Sequence, residues 1–135
     1  MMKLNSQWVV GFVDGEGCFH IGISKNQELR LGFQVLLEFV VTQHRRDVKV
    51  LESIRGFFKC GVVRVNHGDV MCYRVRRFSD LVNIIIPFFE KHSLKTTKNI
   101  NFIKFKRVVK LVSSGAHLTT EGFHQIKKIK EELKI

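Results

Sequence analysis

Asp14 and Glu16 are the only acids in the first 27 residues, and they stand among three glycines in WVVGFVDGEG, Trp8 to Gly17. Gly11 and Gly15 are four apart, so on a helix they stack one turn above the other on a single face. Two glycines inside a helix cost roughly 1 kcal/mol each relative to alanine. The arrangement makes sense where a second backbone must come close, as in small-xxx-small helix crossings. Trp8, Val9, Val10, Phe12 and Val13 are the residues such a helix buries, and Gly17 ends it. The local reading is a helix that packs on a copy of itself and carries Glu16 at its C-terminal tip. A carboxylate there opposes the helix dipole and needs a compensating cation. The same residues also fit a glycine-rich turn leading into a strand.

The other chemistry-bearing residues are basic. Arg64, Arg74 and Arg76 fall on one side of an expected hairpin. Arginine is the side chain best matched to the acceptor edge of guanine, although an ordinary hairpin with a charged wet side has the same pattern. Between Lys91 and Thr120 there is no acid, while Lys91, Lys95, Lys98, Lys104, Lys106, Arg107 and Lys110 all carry positive charge.

The elements that must position these groups follow from periodicity. From Cys18 the period is two, with Phe19, Ile21 and Ile23 inward, so a half-buried strand is expected. KNQELRLG is a polar, projecting hairpin connection. Phe33 to Gln43 is a second strand with Phe33, Val35, Leu37, Phe39 and Val41 on its inner face. Arg46 to Phe58 has helical spacing. Val62 to Asn66 and Met71 to Arg77 form a hairpin with Val63, Val65, Met71, Tyr73 and Val75 inward and Arg64, Asn66, Cys72, Arg74 and Arg76 outward. Ser79 is the expected cap of a helix from Asp80 to Ile86, with Pro87 restarting or kinking it. Lys98 to Val112 is a further helix, and Thr119 or Thr120 caps the last. Antiparallel strand pairs separated by helices define an α+β class: a single domain over 1–135, in the order αββαββα, with a curved four-stranded antiparallel sheet and extra C-terminal helices.

Composition narrows the partners. With 23 Lys and Arg against 12 Asp and Glu, the net charge is +11, and a folded domain this basic suits a polyanion, nucleic acid first. No stretch is apolar and long enough to span a membrane. The start lacks a secretory signal, an expectation of an organelle-encoded or bacterial, non-secreted product. Three dispersed cysteines fit neither a disulfide framework nor a zinc site.

At this point VVGFVDGEG, Val9 to Gly17, resembles the signature decapeptide of LAGLIDADG homing endonucleases, matching at Gly11, Phe12, Val13, Asp14, Gly15, Glu16 and Gly17. It departs at Val9 and Val10, where the name motif has Leu and Ala, and the bulk of Val10 is expected to loosen the helix crossing. FVVTQ (Phe39 to Gln43), HSLKTTK (His92 to Lys98) and LTTEGFHQI extend the resemblance over most of the chain. It implies one half of a C2-symmetric homodimer whose interface is Trp8, Gly11, Phe12 and Gly15, acting on a long, pseudo-palindromic site in double-stranded DNA. It also implies Glu16 and the Gly15 carbonyl as ligands of Mg²⁺, or another divalent cation such as Mn²⁺ or Ca²⁺, with Gln43 ordering water and Lys95 beside the phosphate. Base readout would fall to His20, Gly22, Ser24 and Asn26 on the first strand and to Gln34, Leu36, Glu38, Val40 and Thr42 on the second. Arg64, Asn66, Cys72, Arg74 and Arg76 on the hairpin complete that face. Lys25, Arg30, Arg45, Arg46, Lys98 and Lys104 would contact phosphates. Metal-dependent double-strand cleavage is the expected activity, and Mg²⁺ suits it because it can activate water and stabilise the leaving oxygen. The alternative is a catalytically idle relative: an RNA-splicing maturase or a DNA-binding regulator.

Overall fold

The structure, a computed structural model, describes residues 2–133. Asn5 opens the first helix, its side chain accepting the Trp8 N–H at 2.8 Å. Helix α1 (Ser6–Glu16) leads without a loop into β1 (Gly17–Lys25), and β2 (Phe33–His44) returns antiparallel to it. A 3-10 turn (Arg45–Asp47) precedes α2 (Val48–Phe58), then come β3 (Val62–His67) and β4 (Val70–Val75). α3 (Phe78–Asp80), a π-helical turn (Leu81–Ile85) and α4 (Ile86–Lys91) form one continuous helical run. α5 (Lys98–Ser113) and α6 (Thr120–Glu131) close the chain. The strands form one antiparallel sheet in the order β1-β2-β4-β3, so the α+β, αββαββα reading holds.

The β1–β2 register fixes the faces. Phe19 pairs with Phe39 and Ile21 with Leu37 on the inner side, while Cys18 pairs with Val40 and His20 with Glu38 on the outer side. The inner-side residues Phe19, Ile21, Leu37, Phe39 and Val41 share one core with the helices. Phe19 sits at the centre of an aromatic cluster, its ring centroid 5.2 Å from Phe39, 5.6 Å from Phe89, 5.3 Å from Phe102 and 5.4 Å from Phe105. Offset and edge-on ring packing of this kind joins β1, β2, α4 and α5 into one core. At Gly61, φ is +84° and an added Cβ would lie 2.8 Å from the Arg74 carbonyl, so the turn into β3 accepts only glycine without strain.

Several expectations are corrected here. Val10 is buried with Val9 and Val13 against the chain's own core, so its bulk points away from the glycine face and cannot loosen a crossing there. Trp8 is 40% exposed rather than buried and stacks on Phe12 at 4.9 Å. Cys72, outward by alternation, is only 3% exposed, whereas Val65, expected inward, is 59% exposed. Ser79 is not a cap, because the helical run begins at Phe78 after Arg77. The π turn ends at Ile85, two residues before Pro87, which has no N–H to offer the Asn83 carbonyl. Thr119 is the cap of α6, accepting the Gly122 N–H at 3.0 Å.

Tyr73, the single tyrosine, is fully buried, and its hydroxyl donates to the Cys60 carbonyl at 2.8 Å. Burial foremost, then the neighbouring Cys60 and Asp80, push its ionisation well above the ordinary 10.0. A raised folded-state value means the contribution to stability is intact below about pH 10 and declines as pH rises beyond it. In an alkaline titration the phenolate absorbance is expected to stay absent while the fold persists. It should appear together with the loss of tertiary circular dichroism; ionisation near pH 10.0 with the fold intact would contradict this packing.

Candidate active site and nucleic-acid interface

The helix-to-strand junction at Glu16–Gly17 builds the centre of the site. Because the chain leaves the helix at Gly17, whose N–H bonds the Val13 carbonyl, the Gly15 carbonyl has no amide one turn further on to accept from. Glu16 is exposed and makes no hydrogen bond or ion pair among the described residues. Gly17 pairs with Val41, so Gln43, two residues further along β2 and half-buried, lies beside the end of α1. From the other side comes the segment before α5: the Lys95 N–H donates to the Asp14 carboxylate at 2.9 Å, and the Lys98 ammonium donates to the Gly17 carbonyl. The Lys95 and Lys98 segment is therefore fastened to the helix tip at Asp14 and Gly17, with Glu16 exposed between those two residues.

The charges at this tip are arranged unevenly. The Lys98 ammonium lies just beyond a helix C-terminus, where a cation is favoured, so this predicted phosphate contact is engaged with the protein's own backbone. The Lys95 ammonium donates to the Ser93 carbonyl at 2.7 Å. For Asp14, partial burial raises the carboxyl, but bonds from the Lys95 and Thr96 backbone and the Thr96 hydroxyl, with the Lys95 charge, outweigh it and hold it below 3.8. Cys18 is exposed on the outer face, yet desolvation by its surroundings pushes its thiol up, with the Lys98 charge pulling against it.

Sequence reasoning gave Asp14 no role. The signal was present: acids two apart on a helix point about 200° from each other, so only one can face outward with the tip.

Among the described residues no group of three His, Cys, Asp or Glu side chains converges on a cation site. The donors at the helix tip are one free carboxylate and one helix-end carbonyl, both hard oxygens of the kind that hold Mg²⁺ or Ca²⁺ together with phosphate oxygens.

The outer face of the sheet carries the expected reading residues in ladder rows. Cys18, Val40, Arg74 and Val62 form one row across all strands, and Thr42, Cys72 and Arg64 another. Ser24 opposes Gln34 and Gly22 opposes Leu36. Cys72 is hemmed between Thr42 and Arg64 and presents almost no surface. Glu38 is not a free acceptor: Arg76 Nε donates to its Oε2 at 2.7 Å, and His20 Nε2 lies 4.0 Å from its Oε1. Its carboxylate thus orients Arg76, which remains 46% exposed.

The loop after Lys25 is closed by the Asn26 N–H donating to the Gly32 carbonyl at 2.8 Å, and the Asn26 side-chain amide donates to Gln34 at 3.5 Å. Lys25 and Arg30 are exposed there. Asn66 lies near His67, their side-chain nitrogens 3.3 Å apart. Arg45 lies 3.5 Å from Asp69, whose carbonyl accepts the Arg45 N–H at 2.7 Å, and Arg46 lies 4.0 Å from Asp47. Lys104 is drawn toward Glu132, 3.5 Å away.

A glycine-faced helix ending in an acid beside a basic four-stranded sheet is the homing-endonuclease fold. The description LAGLIDADG endonuclease matches residues 9–109, and the chain belongs to that family. Probable intron-encoded endonuclease 2 of Neurospora crassa is 33% identical over 127 residues, covering 93% of this chain and 26% of that protein. The homing endonuclease I-TnaI superposes with a TM-score of 0.95 at 50% identity, covering 99% of this chain and 90% of that one. I-SmaMI, bound to an uncleaved DNA target in the presence of calcium ions, superposes with a TM-score of 0.90 at 34% identity, covering 94% of this chain and 44% of that one. This chain therefore spans about a quarter of the fungal relative. No described helix is long and apolar enough to cross a membrane.

Proposed function

We propose that the chain, as a single domain over 1–135, is one half of a homodimeric, site-specific DNA endonuclease that cuts both strands of a long pseudo-palindromic site by phosphodiester hydrolysis. The observation that carries the reading is the tip of α1. Glu16 is free and exposed there, next to a glycine face on which an added Cβ at Gly11 or Gly15 would meet nothing within 4 Å. A second α1 laid on that face brings a second Glu16 alongside the first, and the exposed Trp8 with its partner Phe12 supplies apolar cover for the crossing. Two carboxylates side by side repel one another and oppose two helix dipoles, so the pair favours bound cations.

Mg²⁺, held by Glu16, the Gly15 carbonyl and DNA oxygens, supplies an activated water and stabilisation of the leaving oxygen when bound. Gln43 orients water at the helix end. Lys95 exchanges the Ser93 carbonyl for a phosphate oxygen and stabilises developing charge. Arg64, Arg74 and Arg76 read base edges from the sheet, and Lys25, Arg30, Arg45 and Arg46 hold phosphates. The intron-encoded relative fits an organelle-encoded product.

Chelation tests the metal role. With excess chelator, binding to a selected site is expected to persist while cleavage stops, and Mg²⁺ is expected to restore cleavage of both strands. Binding without cleavage in Mg²⁺, on a site demonstrably occupied, would sink the nuclease reading in favour of an idle DNA- or RNA-binding relative.

A further inference from the structure

We propose that Asp14 is a positioning residue for the cleavage step: it tethers the loop carrying Lys95 to the tip of α1, so that the lysine and the Glu16 carboxylate are held as one unit. The proposal rests on the nuclease reading above. Asp14 and Glu16 share a helix end but face different ways. Glu16 is exposed and without a partner among the described residues. Asp14 turns into the segment before α5 and collects three hydrogen bonds from residues more than 80 positions away: from the Lys95 N–H to Oδ2 at 2.9 Å, the Thr96 N–H to Oδ1 at 3.1 Å and the Thr96 hydroxyl to Oδ1 at 2.8 Å.

The connection continues into α5. Thr96 Oγ1 accepts the Lys98 N–H at 3.2 Å, and the Lys98 ammonium donates to the Gly17 carbonyl. The loop is therefore fastened to the chain on both sides of Glu16, at Asp14 before it and Gly17 after it. Lys95 takes part through its backbone only. Its ammonium rests on the Ser93 carbonyl, so it can move to a phosphate without breaking the tether. A carboxylate accepting three protein donors has little capacity left for a cation, which separates the work of Asp14 from that of Glu16.

The test compares Asp14→Asn, Lys95→Ala and the double variant in the full chain, by three readouts: single-turnover cleavage in Mg²⁺, DNA affinity in Ca²⁺, and amide hydrogen exchange at Lys95 and Thr96. The asparagine keeps the side chain's shape but sets an amide against backbone donors. Affinity is expected to stay within about threefold, while cleavage slows about 10–100-fold, the scale for losing a group that orients a reacting one. Exchange at the Lys95 and Thr96 amides is expected to accelerate. On the Lys95→Ala background, Asp14→Asn is expected to add little further loss, because it acts through the lysine. Thr96→Val removes the hydroxyl's bond to Asp14 and its bond from the Lys98 N–H, leaves both backbone bonds to Asp14, and is expected to slow cleavage severalfold with the fold retained. It carries the test if Asp14→Asn does not fold.

Full cleavage in both Asp14→Asn and Thr96→Val, multiplicative losses in the double variant, or affinity falling in step with cleavage would each overturn the tether. Unchanged amide exchange would do so independently of catalysis. A parent protein that binds but never cuts would instead overturn the nuclease reading.

Discussion

Glu16→Gln is expected to abolish DNA cleavage while leaving the fold and DNA binding in place. The side chain is exposed and holds no partner among the described residues, so its replacement by an isosteric amide disturbs no packing. A negative charge is removed from a helix C-terminus, where it opposes the dipole, so thermal stability is expected to hold or rise slightly. DNA affinity without metal is expected to rise as well, since one fewer carboxylate faces the phosphates. Cleavage, by contrast, loses the charged oxygen that holds the cation. A fall of at least about 10²–10³-fold is expected, the scale for losing one preorganised electrostatic contact to developing charge. Single-turnover rates in Mg²⁺ beside affinities in chelator separate the effects. Near-parent cleavage by Glu16→Gln would remove this residue from the metal site.

Gly11→Leu is expected to act in opposite directions on the single chain and on the pair. In one chain nothing lies within 4 Å of a Cβ at Gly11, and leucine is a far better helix former than glycine, by roughly 0.5–1 kcal/mol. The isolated chain is therefore expected to melt at an equal or higher temperature. Between two copies of α1 the same side chain fills the space where the second backbone must lie, so association and cleavage are both expected to fail. Trp8 is the only tryptophan and lies on the same face, so its emission reports the event. The parent is expected to show a concentration-dependent blue shift as Trp8 is covered, and Gly11→Leu to show none. A variant that still cleaves both strands as a pair would place the interface elsewhere.

The strands were legible because one covered face imposes a period of two on β1 and β2, and α6 because Thr119 caps it locally. What local pattern could not supply was coverage. Alternation assigns Cys72 to the outer face, yet Thr42 and Arg64 flank it in a central position and it is buried. Alternation assigns Val65 inward, yet it lies near the end of edge strand β3 and remains exposed. Val10 looked like a defect in the glycine face only because sequence gives a helix no reference direction; packing on the sheet turns Val9, Val10 and Val13 inward together. The site shows the same division. Glu16, Gly15, Gln43 and Lys95 were singled out from motif order, and the structure ties the Lys95 segment to the helix that carries Gly15 and Glu16. The engagement of Glu38 with Arg76 joins residues 38 apart, and that of Asp14 with Thr96 joins residues 82 apart, distances at which no local period carries information.

The central claim, that two copies of this chain build one cleavage site, is tested most directly by sequencing the fragments that the purified protein cuts from a randomised double-stranded DNA library in Mg²⁺. The expected result is a consensus with two-fold symmetry, cut on both strands about its centre and absent with Glu16→Gln. An asymmetric consensus would contradict the symmetric pair, and recovery of bound but uncut sites would contradict cleavage itself.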